Sequence, residues 1–504
     1  MQPVLIAGKW RAANAASSFQ AENPATGEVF PEAYPVSSWA DCDAALNAAV
    51  EAADILRTVP AEQLATFLTR YADRIDARKT ELAGIAHAET ALAKSPRLAD
   101  VEIPRTTNQL RQAAAAALDG SWALPTIDAK LNIRSILAPI GPVLAIGPNN
   151  FPFAYNGVAG GDFATAIASG NPVIAKAHPC HPRTSQIMAE ECLAAVAETG
   201  LPPATVQMIY RMSPEDGLRM AADKRLGAIG FTGSRSAGMK LKAASDAVGK
   251  PVYLEMSSIN PVLILPGALA ERGDKLVEEF GASCLMAGGQ FCTSPGLVIL
   301  FAGTDAEKFI AGVKAKLEAT APATLLSTGV AQSLAGGVKT VRAAGAELIT
   351  GGSLLAGNKL ANTVLRVSGE QFLSSPEKLQ TEMFGNASLI VVVRDAAQAA
   401  EILEHLEGNL TGSIYSDTNG ADDSLYEKLS PSLRHSVGRL LNDKMPTGVA
   451  VTAAMNHGGP FPATGHPGFT AVGFPASMRR FAMLQCYDNV RQHRLPLALR
   501  DKNC

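Results

Sequence analysis

Cysteine is scarce in this chain, with seven among 504 residues: Cys42, Cys180, Cys192, Cys284, Cys292, Cys486 and Cys504. The number is odd and no two form a CxxC pair, which argues against a disulfide frame or a zinc ribbon and predicts reduced thiols in a cytoplasmic setting. No apolar run approaches the ~20 residues of a membrane span, so no membrane partner is expected. Neither sign of charge dominates: the formal net charge is -3, and the basic residues are scattered rather than gathered in a stripe. That removes the electrostatic footprint of a nucleic-acid binder. The opening MQPVLIAGKW has no basic segment leading into an apolar one and no small-residue cleavage site, so no secretory leader is expected. His178, His181 and His457 show no ligand spacing, and no metal is expected. Also missing is the G-x-G-x-x-G dinucleotide fingerprint that should follow the first strand of an α/β unit.

What is present is a long chain, 47% hydrophobic, with enough residues for two or three cores. Strand-like pieces around VLIAGKW and ENPATGEVF precede helices such as DCDAALNAAVEAADIL and AEQLATFLTRYADRI, whose apolar residues recur at three- and four-residue steps. From Gly141 the rhythm changes. PVLAIG, NPVIAK, ATVQMIY and LGAIGF are short apolar runs, and the segments GGDFATAIAS, HPRTSQIMAEECLAAVAE, PEDGLRMAAD and RSAGMKLKAASDA that follow them read as helices. This alternation predicts an α/β fold, a doubly wound parallel sheet with ligand-carrying loops at its strand ends. In FTGSRSAG, Gly233 closes a strand and Ser234 opens a helix whose free N–H groups suit a pyrophosphate; an ordinary capped turn is the competing reading.

Cys292 stands in MAGGQFCTSPG, among glycines and turn residues where an apolar helical run ends. Glu255 ends the strand PVYLEM, and Asn150 lies in the loop GPNNFPFA after PVLAIG. Loops after parallel strands converge on one sheet edge, so these three groups are candidates to meet. Singly, each also reads as an ordinary core thiol, solvated acid and turn residue.

Six motifs in order, GPNNFPFA, VIAKAHP, FTGSRSAG, YLEMSSINP, GGQFCTSPG and TEMFGNAS, give a chain that resembles the aldehyde dehydrogenase superfamily over nearly its whole length. NDKMPTGVAV, HGGPFPATGHP and AVGFPASMRRF resemble its 2,5-dioxovalerate (α-ketoglutaric semialdehyde) dehydrogenase branch, with which a fatty-aldehyde enzyme also groups. The resemblance implies two doubly wound α/β domains and a small β oligomerisation flap: residues 1–120 and 142–254 for the cofactor, 255–480 for catalysis, and 121–141 with 481–504 for the flap, in a homodimer or homotetramer. It implies NAD(P)-dependent oxidation of an aldehyde to an acid, most specifically of 2,5-dioxopentanoate. Cys292 would be the nucleophile, Asn150 an oxyanion donor and Glu255 the base that activates water. Lys176 would bind the adenosine ribose, Ser234 with Gly233 the pyrophosphate, and Glu382 the nicotinamide ribose, with Phe384 packed near the nicotinamide. NAD-preferring members often carry a Glu where this chain has Pro179; with Arg183 and Arg211 near strand ends, NADP is slightly favoured over NAD. Arg434, Arg439 and His457 are candidates for the substrate's far carboxylate. Two departures stand out: Ser257 and Ser258 replace a common Gly pair, and Asn149 precedes Asn150 where a Trp is frequent. A fatty aldehyde is the alternative substrate, and a cysteine-dependent acyl hydrolase with a distant His base is the alternative of another class.

Overall fold

The computed structural model describes residues 1–501; Cys504 and the end of the expected flap lie outside the described residues. Two seven-stranded sheets organise the chain. Across the first run Val252–Glu255, Ala228–Thr232, Val143–Ile146, Val173–Lys176 and Val206–Ile209, all parallel, then Val4–Ile6 and Lys9–Arg11 as an antiparallel edge. The central strands are apolar along nearly every residue, as strands covered on both faces must be. The covering helices are Gly161–Ala168, Pro182–Thr199, Pro214–Ala221 and Arg235–Asp246, close to their predicted positions. ENPATGEVF is the exception. It spans the turn of a hairpin between Ser17–Glu22 and Val29–Val36, closed by Gly27 N donating to Asn23 O at 2.8 Å.

The second sheet runs Glu347–Thr350, Thr363–Ser368, Ala387–Val393, Leu297–Phe301, Val262–Ile264, Asn409–Tyr415 and Val437–Asn442, parallel except at its first edge. Separate apolar clusters pack against it, one around Leu263, Ile299 and Leu389 and one around Ile264, Leu300 and Phe280. A third, antiparallel sheet joins Ala482–Asp488, Ile133–Pro139 and Thr126–Asp128. Residues 466–481, grouped from sequence mainly with the second unit, pack against the first: Phe474, Met478 and Phe481 join its core, and Arg480 Nη1 donates to Asp162 Oδ1 at 2.7 Å.

One buried carboxylate holds the loop after Val143–Ile146 in shape. Glu102 is fully buried; its Oε1 accepts from the N–H groups of Phe153 (2.9 Å) and Ala154 (3.0 Å). Its Oε2 pairs with Arg97, whose Nη2 donates to Asn150 O at 3.0 Å. Removing one member of a buried pair strands the other charge. Glu102→Ala should therefore cost ~3 kcal/mol, read as a lowered thermal midpoint, while Glu102→Gln, which keeps an acceptor, should lose less. Equal midpoints for Glu102→Ala and the unmodified chain would show that this carboxylate does not hold the loop.

Candidate active site

The strand ends of the two sheets face a common cleft of about 760 Å³. Its walls include Asn150, Lys176, Gly233, Ser234, Glu255, Cys292, Glu382 and Phe384, residues from six separate stretches of the chain. Of the residues predicted for catalysis and for holding the cofactor's ribose, pyrophosphate and nicotinamide, all line it; Arg211 does not, and is exposed just past the end of Val206–Ile209. It still acts on the cleft, because burial pushes the Lys176 ammonium down to about 8 and the positive charge of Arg211 adds to that depression. Ser234 caps helix Arg235–Asp246, accepting from Ala237 N at 3.4 Å, and it lines the cleft.

The turn before Cys292 explains its glycines. Gly288 and Gly289 both sit at φ +69°, and a Cβ on Gly289 would come 2.2 Å from Gly385 O. No L side chain fits there. The Cys292 loop is thus pressed against the backbone of the loop that carries Glu382 and Phe384. On the other side Asn260 Nδ2 donates to Cys292 O and Ser294 O, both at 2.9 Å. Asn260 is held in turn by Asn409 Oδ1, which accepts from Asn260 N at 3.1 Å. Ser258, one of the two departures from the common pattern, belongs to this brace: its hydroxyl donates to Asn260 Oδ1 at 2.8 Å and accepts from Leu410 N at 3.0 Å. Ser257 lines the cleft and helps hold the Glu382 carboxyl. Burial pushes that carboxyl up to about 7, against the hydrogen bonds from the two serines.

Asn150 is buried and its Nδ2 donates to Gln290 O at 2.9 Å, which places its amide beside the Cys292 turn. Cys292 Sγ lies 3.6 Å from His457 Nε2, and the same Nε2 lies 2.9 Å from Glu255 Oε1. His457 is fixed from behind, its N–H donating to Thr470 Oγ1 at 2.8 Å, and its ring packs 6.0 Å from that of Tyr155. The sequence offers His457 only as a substrate-binding cation; its contact with the thiol needs a fold that closes 165 residues of chain. The nearest signal is its place in the glycine- and proline-rich MNHGGPFP. Of the other two cations proposed for the substrate, Arg434 is exposed on helix Asp423–Ser436, bonded to Val437 O, and leaves the site. Arg439 stays near it, donating to Pro446 O and Gly448 O at 3.1 Å each.

The charges of this cluster are strongly coupled. Burial pushes the Cys292 thiol well above its usual range, the Glu255 carboxylate pushes it further, and Arg105 partly offsets both. Burial raises Glu255 too, but His457 more than reverses this, so the carboxyl sits below its usual value and is ionised at neutral pH. Glu255 Oε2 is buried with no partner among the described residues, a free acceptor for a water. The ligand atoms of Glu255, Cys292 and His457 all lie within 4.8 Å of one another, a spacing and set of types that a zinc ion could also bridge. The absence of ligand spacing along the sequence did not anticipate that grouping.

With the geometry in place, the comparisons decide the family. The sequence profile of the aldehyde dehydrogenase family matches residues 10–447. This chain belongs to the aldehyde dehydrogenase family. It is 38% identical to alpha-ketoglutaric semialdehyde dehydrogenase 2 of Azospirillum brasilense, over 99% of this chain and 96% of that protein. It is 34% identical to the alpha-ketoglutaric semialdehyde dehydrogenase of Acinetobacter baylyi, over 95% and 91%. Among solved structures, a Thermus 1-pyrroline-5-carboxylate dehydrogenase with bound NAD matches the fold with a TM-score of 0.83 at 23% identity, covering 96% of this chain and 92% of that one. Aldehyde oxidation is thus the chemistry of the family, which sets aside an acyl hydrolase without a redox step. Among the described residues no helix is long and apolar enough to cross a membrane.

A raised thiol makes a testable statement about the free aldehyde dehydrogenase. Thiolate, not thiol, is alkylated, so inactivation by iodoacetamide should accelerate as pH rises from 6 to 9. In His457→Gln the curve should shift to higher pH, because the remaining carboxylate opposes a second anion. A rate already flat at pH 6 would reveal a preformed thiolate–imidazolium pair instead.

Proposed function

We propose that this aldehyde dehydrogenase oxidises 2,5-dioxopentanoate to 2-oxoglutarate with NAD(P)+, through Cys292. The observation that carries the reading is the Cys292–His457–Glu255 contact, with Cys292 and Glu255 lining a cleft of about 760 Å³, in a chain 38% identical to an alpha-ketoglutaric semialdehyde dehydrogenase. The cleft suits the cofactor chemically. At one end stands the Lys176 ammonium, depressed by burial and so restored by an anionic or hydroxyl-rich ligand; between lie Gly233 and the capped helix start at Ser234; at the other end are Glu382 and Phe384. Bound by these residues, NAD(P)+ would supply the hydride acceptor for the oxidation.

The chain's own residues do the rest. Cys292 Sγ attacks the aldehyde carbon as its proton passes through the Glu255 carboxylate to solvent, with His457 Nε2–H holding that carboxylate at 2.9 Å. The Asn150 amide and the Cys292 N–H hold the resulting oxyanion, a donor of this kind being worth ~3 kcal/mol. After oxidation to the thioester, Glu255 accepts a proton from the water that hydrolyses it, with the unpartnered Oε2 as the acceptor. His457 bridges the two anionic groups and keeps either from being left unpaired. We read the cofactor unit as residues 1–120 and 142–254, the catalytic unit as 255 to the mid-400s, and the flap as 121–141 and 481–501. The exposed Ile127, Met483 and Leu484 of that flap support association into a homodimer or homotetramer.

Two measurements test this. Absorbance at 340 nm should rise with 2,5-dioxopentanoate, with kcat/KM at least ~10-fold above that for pentanal, the equivalent of ~1.4 kcal/mol. Equal efficiency, or preference climbing with alkyl length, would favour a fatty aldehyde. The second concerns the cofactor. With Pro179 offering no carboxylate to repel a 2′-phosphate, and Arg211 close enough to act on Lys176, NADP+ should be used at least as well as NAD+. A kcat/KM ratio strongly in favour of NAD+ would show that position 179 does not decide the choice.

A further inference from the structure

The substrate proposed above carries a carboxylate at the end away from its aldehyde, and an anion needs a cation whose own charge is not already matched. Most arginines near the centre of the molecule are matched: Arg97 by Glu102, Arg480 by Asp162 and Arg235 by Glu407. Among the described residues Arg105, Arg439 and Arg479 have no carboxylate partner, and the Nε of each is buried without a hydrogen bond; of the three, Arg105 and Arg439 act on the charge of Cys292.

Both stand close enough to Cys292 to act on its charge. Arg105 lies in the first turn of helix Ile103–Asp119. Its Nη2 donates to Tyr155 OH at 3.3 Å, and its guanidinium carbon stands 5.4 Å from the Tyr155 ring and 5.7 Å from that of Phe151. Tyr155 in turn packs against His457, which touches Cys292. Arg439 holds the loop after Val437–Asn442 through Pro446 O, Gly448 O and Met455 Sδ. That loop is anchored beside the nucleophile, with Gly448 N donating to Thr293 Oγ1 at 3.0 Å, and runs on to His457. Gln112 of the Arg105 helix donates to Val451 O of the same loop at 3.1 Å, so the two walls meet.

We infer that Arg105 and Arg439 form a paired guanidinium subsite for the distal carboxylate of an ω-carboxy aldehyde, with Tyr155 as the neutral group between the clamp and the Cys292–His457 contact. The inference rests on the proposed keto-acid function and names the residues that would carry its specificity. Electrostatics agrees with the placement: Arg105 favours the Cys292 thiolate, while Cys292 and Tyr155 favour the charged form of Arg439 against the burial that lowers it. A carboxylate bound there would complete the pairing that the chain leaves open.

The test compares 2,5-dioxopentanoate, 5-oxopentanoate and pentanal in the full-length enzyme, Arg105→Gln and Arg439→Gln. In each variant the kcat/KM ratio of 2,5-dioxopentanoate to pentanal should fall at least ~10-fold, mainly through KM, which is ~1.4 kcal/mol. Inhibition of pentanal oxidation by 2-oxoglutarate should weaken in step. Arg439→Lys, which keeps the charge, should recover part of the ratio and guards against loop damage as the cause. A ratio unchanged in either variant, or an equal loss on pentanal, overturns the clamp. If the unmodified enzyme prefers 5-oxopentanoate but not 2,5-dioxopentanoate to pentanal, the keto-acid function falls; the clamp then stands provided the variants erase that preference. Should neither acid be preferred to pentanal, both fall.

Discussion

A half-buried thiol and a buried carboxylate within reach of one another cannot both carry charge without a third group to take it up. Glu255 holds the negative charge in the free enzyme and Cys292 is held neutral by that charge and by burial. His457, 2.9 Å from one and 3.6 Å from the other, is the group through which their protons are linked. The thiol and the carboxyl shift one another, so an apparent pKa measured for the nucleophile belongs to that pair. A carboxylate meant to activate water late in the reaction has to avoid quenching the nucleophile at its start. In the proposed cycle the imidazole donates to Glu255 Oε1 and leaves Oε2 open, so the one carboxylate takes the thiol proton, releases it, and later takes that of the water.

The rest of the site follows from bringing distant strand ends to that contact without leaving room for error. Gly289 admits the backbone of Gly385 where any Cβ would collide, which couples the nucleophile's turn to the loop of Glu382. Asn260 and Asn409 tie the same turn to the strand end that carries Glu255. Glu102, from a helix outside both sheets, sets the Asn150 loop by accepting from two of its N–H groups. Each brace uses a buried polar side chain with several partners. Such networks specify one arrangement, because partial satisfaction in the interior is expensive.

The alternation of strands and helices made the first sheet legible from sequence, since near-continuous apolar strands and amphipathic helices have distinct periods. The flap strand Ile133–Pro139 was legible for a related reason, as an alternating stretch set apart from the α/β rhythm. ENPATGEVF misled because its two ends belong to different strands and its centre is the turn. Residues 466–481 carry little periodicity, so their packing on the first core through Phe474 and Arg480 left no local trace. The clustering of Asn150, Glu255 and Cys292 could be argued from strand ends alone. His457 and Arg105 could not: one sits in an irregular loop, the other on a helix that lies outside both sheets.

The walls also bear on chain length and polarity of the substrate. Phe151 to Tyr155, FPFAY, is an apolar stretch of the kind that would line a tunnel for a fatty aldehyde. In the fold Phe153 is wholly core, and Phe151 is taken up by an edge contact with Phe291 and by the guanidinium of Arg97, 4.5 Å from its ring centroid. Arg105 faces the same ring and that of Tyr155. An alkyl chain of any length laid along these residues would have to desolvate two unmatched guanidiniums and give nothing in return. A short substrate ending in a carboxylate incurs the same desolvation and gains charge-assisted hydrogen bonds in exchange. The aromatic rings then serve as low-dielectric backing that strengthens the cation's attraction for the acid, rather than as a channel for hydrocarbon.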